Sequence, residues 1–112
     1  MYKIAPILPV INISETICFY RDKLQFNIHE YANYLVAYTT YIEIHFYKTH
    51  DKYLCENASC YIMVNDIEDL YLSFASKDII YPAGQLEKNA LGVKEFSIFD
   101  NNGNLLRFAQ ND

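Results

Sequence analysis

The chain has 112 residues, 52% of them apolar, and its formal net charge at pH 7 is −5. This length and apolar content suit a single domain with its own core. The negative charge, without any Lys/Arg cluster, argues against a nucleic-acid partner, and no apolar run is long enough to cross a membrane.

The start Met1-Tyr2-Lys3 shows no signal-peptide pattern, and three cysteines without a C-x-x-C pair fit a reducing compartment. We therefore predict a cytoplasmic protein.

The first half of the chain is predicted to form a strand, a helix and three further strands. Ile4–Ile11 is apolar and β-branched, and its two prolines predict a strand at a sheet edge. Ser14 is predicted to cap a helix that runs to about Lys23. Three short strands then follow, at Phe26–Tyr31, Tyr34–Thr39 and Tyr41–Lys48. A polar linker at His50–Asn57 ends this half.

The second half repeats this order. Ser59–Val64 is a predicted strand, and Asn65 or Asp66 caps a helix that ends near Ser76. After a loop, the run Lys94–Phe108 reads as a hairpin whose Asn-Gly turn supplies the positive φ angles that a tight turn demands. The first half has the order β-α-β-β-β, and the second half repeats it through this strand, helix and hairpin, which indicates two packed copies of one unit.

Strand parity divides the predicted sheets into two unlike faces. In the fourth strand, Ile44 and Phe46 point one way, whereas Glu43, His45 and Tyr47 point the other way. A similar alternation recurs in the fifth and last strands. One face is apolar and is predicted to pack on the helices. The opposite face mixes aromatic and polar side chains, a composition typical of a sheet that lines a ligand site.

A series of short motifs extends along nearly the whole chain. They are Pro9-Val10, FYRDKLQF at 19–26, YIEIHF at 41–46, DIEDLY at 66–71, and the run 94–108 with its Asp-x-x-Gly-Asn-Leu-Leu-Arg-Phe ending. Each motif is weak alone, but their order and spacing are specific as a set. In this respect the chain resembles the glyoxalase/bleomycin resistance protein group of the vicinal-oxygen-chelate superfamily.

The resemblance implies an α+β architecture within one domain, residues 1–112. Two βαβββ modules, about 1–56 and 57–112, are expected to form a mixed, incomplete β-barrel. In the bleomycin resistance group these barrels are normally completed across a homodimer, which leaves two ligand crevices at the interface. Such a dimer also covers strand edges that a monomer would expose. We therefore expect a homodimer.

The resemblance also indicates whether a metal ion is expected. Enzymes of the superfamily hold a divalent ion with side chains from four strands, and the matching positions here are Ala5, Glu43, Ser59 and Arg107. Alanine has no donor atom, a serine hydroxyl is a poor ligand, and a guanidinium is a cation. We therefore predict no metal, no cofactor and no catalytic residue, and we expect Arg107 to pair with Glu43 in place of the ion.

The same resemblance indicates a ligand site. Bleomycin resistance proteins sequester a large cationic drug and stack aromatic side chains on its planar part, contacts worth roughly 0.5–2 kcal/mol each. Tyr34 and Tyr61 match aromatic positions of the crevice, although each could instead be a half-buried interface residue. Leu91 stands where authentic resistance proteins tend to carry a tryptophan. The predicted ligand-binding residues are Tyr34, Glu43, His45, Tyr47, Tyr61, Leu91 and Arg107.

The sequence leaves three functions open. The first is a metal-free, homodimeric protein that sequesters a cationic or planar antibiotic of the bleomycin type. The second is a metal-dependent lyase, thiol transferase or dioxygenase, in which His29 or His50 would have to join Glu43 and His45 as ligands. The third is an interaction domain without a small-molecule ligand. We adopt the first, because three of the four metal positions carry residues that do not bind metal.

Overall fold

The computed structural model describes residues 1–111, which contain eight strands and three α-helices. The strands are β1 Ile7–Val10, β2 Asn27–Tyr31, β3 Tyr34–Tyr38, β4 Glu43–Lys48, β5 Ser59–Met63, β6 Glu87–Lys88, β7 Lys94–Phe99 and β8 Leu105–Gln110. The helices are α1 Ile13–Cys18, which continues as a π-helical turn at Phe19–Lys23, α2 Lys52–Glu56 and α3 Ile67–Ser76. In this described part of the chain, no helix is both long and apolar enough to span a membrane.

The strands form two four-stranded mixed sheets, each from one half of the chain. The first sheet has the order β1-β4-β3-β2 and the second the order β5-β8-β7-β6. In each sheet the first and last strands of the half pair in parallel, and the other neighbours are antiparallel. Parallel neighbours cannot be joined by a tight hairpin, and a helix follows the first strand of each sheet. The barrel is not closed, and the predicted α+β fold class is confirmed.

One apolar core joins the two halves. Tyr20, Phe46 and Phe96 are among its largest fully buried side chains. The rings of Tyr20 and Phe46 meet edge to face with centroids 4.8 Å apart, and Phe96 stacks on Phe108 at 5.1 Å. Full burial of an apolar side chain of this size contributes roughly 1.5–3 kcal/mol. The core side chains of β4 and β8 are those that strand parity assigned to the apolar faces.

The first strand and helix differ from the prediction at their starts. β1 lies at a sheet edge, as its prolines predict, but it begins at Ile7 and not at Ile4. α1 is capped by Asn12 and not by Ser14, because the Asn12 side chain accepts a hydrogen bond from the backbone amide of Glu15 at 2.9 Å. Asparagine and serine are similarly good caps, so two candidates this close together cannot be separated by residue type.

The segment predicted to be a linker contains helix α2. Asp51 caps the helix by accepting a hydrogen bond from the backbone amide of Tyr53 at 3.0 Å. Cys55 is fully buried, and its thiol donates to the backbone carbonyl of Pro9 at 3.6 Å. This helix is held by a single buried side chain against β1, and it is too short to show a helical period in the sequence.

The loop between β7 and β8 is wider than the predicted tight turn. Gly103 adopts a φ of +98°, whereas Asn102 does not have a positive φ. The buried carboxylate of Asp100 accepts hydrogen bonds from the backbone amides of Asn102 and Asn104, and from the Tyr20 hydroxyl at 2.7 Å. The loop is therefore shaped by a contact with a residue 80 positions away in the chain, which no local turn pattern indicates.

Candidate ligand-binding site

A groove of about 520 Å³ is lined by residues of both sheets. Its walls come from the N-terminal segment before β1, from the start of β4 and from β5, and its polar side chains include Lys3, Glu43, Ser59 and Tyr61. This size is within the range of small-molecule sites. The groove therefore brings together Glu43 and Tyr61, two of the predicted ligand-binding residues, from opposite halves of the chain.

The open face of the first sheet carries a row of three tyrosines. Tyr31, Tyr34 and Tyr47 occupy neighbouring register positions on β2, β3 and β4. Tyr31 is 58% exposed and Tyr47 36%, while Tyr34 is half-buried. We call these three residues the tyrosine row. It offers an aromatic surface beside His45, which lies on the same face.

Four side chains form a continuous hydrogen-bonded chain that starts in the groove and ends in the tyrosine row. The ammonium of Lys3 donates to Glu43 Oε1 at 2.5 Å, Glu43 Oε2 lies 2.5 Å from His45 Nε2, and His45 Nδ1 lies 2.8 Å from the Tyr34 hydroxyl. The hydrogen bond from Lys3, followed by that from His45, holds the pKa of Glu43 below its ordinary value. Glu43 is therefore ionised at neutral pH and accepts from both neighbours.

The predicted contact between Glu43 and Arg107 is wrong. Glu43 pairs with Lys3 instead, and Arg107 lies exposed on the second sheet, where it is in register with Tyr61. There Arg107 borders a shallow depression of about 210 Å³ that also contains Glu95. The prediction failed because Lys3 precedes the first strand, and no periodic pattern indicates where such a segment lies.

The second sheet positions Tyr61 through Glu95, a residue outside the predicted set. The Tyr61 hydroxyl donates to the Glu95 carboxylate at 3.0 Å, and the Tyr61 side chain remains 52% exposed. The pKa of Tyr61 is raised above its ordinary value, mainly by this hydrogen bond to Glu95. Leu91, in contrast, lies in the loop between β6 and β7 and is 88% exposed. It does not line the groove.

The residues at the four superfamily metal positions do not fit a divalent ion. The ammonium of Lys3 already lies on Glu43, and Ala5, Ser59 and Arg107 offer no good ligand. Nowhere in residues 1–111 do three His, Cys, Asp or Glu side chains come close enough together to hold a metal ion.

Comparison with known proteins shows similarity to bleomycin resistance proteins over nearly the whole chain. No protein-family model matches the chain. A bleomycin resistance protein of Geobacillus stearothermophilus is 27% identical over 98% of this chain and 97% of its own length. The bleomycin resistance determinant encoded on the transposon Tn5 has a TM-score of 0.87 and 23% identity, and the match covers 100% of this chain and 99% of that one. These similarities confirm the resemblance to the glyoxalase/bleomycin resistance protein group of the vicinal-oxygen-chelate superfamily.

Solved structures of this group include a ligand complex. The bleomycin-binding protein of the bleomycin-producing Streptomyces verticillus, complexed with copper(II)-bleomycin, has a TM-score of 0.86 and 19% identity, with coverage of 100% of this chain and 98% of that chain. The resemblance that the motifs indicated is thus confirmed, and the two mixed sheets are the fold of the group.

Proposed function

We propose that this protein is a cytoplasmic, homodimeric binding protein that sequesters a cationic, planar antibiotic of the bleomycin class without altering it chemically. The observation that carries the proposal is the similarity to proteins named bleomycin resistance protein over 98% of the chain. The lysine on Glu43 supports binding without metal chemistry, because the carboxylate already has a cation beside it.

The side chains of the site suit such a drug. The exposed rings of Tyr47 and Tyr61 and the half-buried ring of Tyr34 offer stacking surfaces for a planar group. The net charge of −5 favours a cationic ligand. We retain the predicted ligand-binding residues as the proposed site: Tyr34, Glu43, His45, Tyr47, Tyr61, Leu91 and Arg107.

A second copy of the chain would complete this site. The open faces of both sheets expose aromatic and apolar side chains, and the N-terminal segment exposes almost all of Tyr2 and Ile4. Such side chains gain free energy when a partner covers them. Sedimentation equilibrium over a range of concentrations should therefore give twice the mass of one chain. A single-chain mass at all concentrations would contradict the dimer.

Protection of DNA tests the function itself. Supercoiled plasmid is treated with iron(II)-bleomycin in the presence of increasing amounts of the purified protein. We expect cleavage to stop when about one chain is present per drug molecule, and we expect mass spectrometry to recover the drug with its mass unchanged. Cleavage that persists with the protein in excess would contradict the proposal. A change in the drug's mass would show a reaction and not sequestration.

A further inference from the structure

We infer that the Tyr34 hydroxyl is a hydrogen-bond acceptor for an ammonium or amidinium group of the ligand, so that the site selects cations that carry N–H donors. This inference deepens the proposed function, because it assigns a ligand chemistry to one end of the same site. It rests on the direction of the hydrogen bonds from Lys3 to Tyr34 and on the side chains that surround Tyr34.

The direction of these hydrogen bonds follows from the carboxylate of Glu43 when the His45 ring is neutral. A carboxylate can only accept, so His45 Nε2 carries a proton and donates it to Glu43. In the neutral ring, Nδ1 is then the acceptor, and the Tyr34 hydroxyl donates its proton to it at 2.8 Å. The phenol oxygen has one proton, which is already used. Toward a ligand it presents lone pairs alone.

The rest of the chain strengthens this acceptor. Connected hydrogen bonds polarise one another, so a phenol that donates to an imidazole backed by a carboxylate carries more electron density on its oxygen. Lys3 holds the second oxygen of Glu43 at 2.5 Å. Both oxygens of that carboxylate therefore have protein partners, and the Tyr34 oxygen is the end of the chain that a ligand on the tyrosine row would meet.

The rings of the tyrosine row attract positive charge next to the Tyr34 oxygen. Tyr31 and Tyr47 flank Tyr34 in register on the neighbouring strands, and both are exposed. The face of a tyrosine ring attracts a cation, so a cation over this row would have aromatic rings on either side and the Tyr34 oxygen within the reach of its N–H groups. A cation without N–H groups would gain the ring contacts but not the hydrogen bond.

Two probes of equal charge separate these contributions. Benzylammonium carries N–H donors on its cation, and benzyltrimethylammonium carries none. The dissociation constants of both are measured with the full chain by NMR titration of the tyrosine ring signals. We expect benzylammonium to bind about three- to tenfold more tightly, the effect of one net hydrogen bond. Equal binding of the two probes, or no binding of either, would overturn the inference.

Three variants assign the preference to the proposed atoms. Tyr34→Phe should abolish the preference for benzylammonium and leave benzyltrimethylammonium binding unchanged. His45→Phe should also weaken the preference, because His45 is a positioning residue that directs the Tyr34 proton away from the ligand. Tyr53→Phe is the matched control, since this tyrosine of α2 is 68% exposed and lies outside the tyrosine row, and it should keep the preference. A preference that survives in Tyr34→Phe would overturn the inference.

The probes also keep this test independent of the antibiotic. Bleomycin that fails to bind, together with a benzylammonium preference that depends on Tyr34, would contradict the proposed drug class and support the inference. Bleomycin that binds equally well to the wild type and to Tyr34→Phe, with no preference between the two probes, would support the proposed function and overturn the inference.

Discussion

The ammonium of Lys3 lies 2.5 Å from the carboxylate of Glu43, the one good metal ligand among the four positions that match the metal site of the superfamily. A lysine at this place supplies positive charge but no open coordination position for a substrate. The same carboxylate also orients His45 and, through it, Tyr34. The group that would hold an ion in an enzyme therefore supports a hydrogen-bonded chain that ends in an aromatic surface.

Metal content is the first prediction. By elemental analysis, protein purified without chelators should contain far less than one nickel, zinc, manganese or iron ion per chain. The reason is that Lys3 already pairs with the Glu43 carboxylate and the residues at the other three positions are poor ligands. Bleomycin binding should be unchanged by EDTA. One tightly held ion per chain, or an enzymatic turnover that EDTA abolishes, would instead identify a metal enzyme.

The titration of Glu43 provides the second prediction. Because Lys3 and His45 donate to its carboxylate, the pKa of Glu43 should lie below the ordinary 4.5. The stability gained from this shift is present at neutral pH and is lost as the pH falls through the lowered pKa. NMR of the Glu43 side-chain carboxyl carbon should show the low midpoint, and Lys3→Ala should move it back up. A midpoint at or above 4.5 in the wild type would contradict the Lys3 contact.

Tyr61→Ala is the third prediction. This side chain is 52% exposed on the open face of the second sheet, so its removal should weaken bleomycin binding by a factor of about 2 to 10, as expected for one stacking contact, with little effect on the free energy of unfolding. Calorimetry and urea denaturation measure the two quantities. Tyr61→Phe keeps the ring without the hydroxyl that contacts Glu95, and should retain most of the affinity.

A core variant is the matched control for Tyr61→Ala. Phe108 is 3% exposed and stacks on Phe96, so Phe108→Ala should lower the free energy of unfolding by about 3–5 kcal/mol. If Tyr61→Ala unfolds the protein to a similar extent, Tyr61 belongs to the core, and the assignment of the two sheet faces is wrong.

Leu91→Trp is the fourth prediction. Leu91 is 88% exposed in the loop that precedes β7, and a leucine cannot stack on a planar drug as an indole does. We expect the tryptophan to raise bleomycin affinity by a factor of about 2 to 10, measured by fluorescence titration of the new indole. Leu72→Trp, on the exposed side of α3, should leave the affinity unchanged. Equal effects of the two changes would exclude Leu91 from the site.

Local patterns predicted the two similar halves and the two faces of the sheets, whereas the incomplete barrel was implied by the family resemblance. The alternation in β4 placed Ile44 and Phe46 in the core and Glu43, His45 and Tyr47 on the open face, as the structure has them. Such alternation is reliable because a one-residue shift would turn every side chain of the strand to the wrong face. The predicted edge position of β1 followed in the same way from the chemistry of proline.

The contacts that organise the site could not be predicted in this way. Lys3 reaches Glu43 from a segment outside any strand, and the Tyr61–Glu95 hydrogen bond joins residues 34 positions apart. Neither contact has a sequence period. Charge matching alone favoured Arg107 as the partner of Glu43, but Arg107 lies on the other sheet, and its place among acidic neighbours depends on how the strands pair.

Calorimetric titration of the purified, metal-free protein with metal-free bleomycin is the decisive measurement of sequestration. We expect a saturable exchange of heat with about one drug molecule bound per chain and no change in the drug afterwards. If no binding heat is released even with the drug in large excess over the protein, the chain does not sequester this drug.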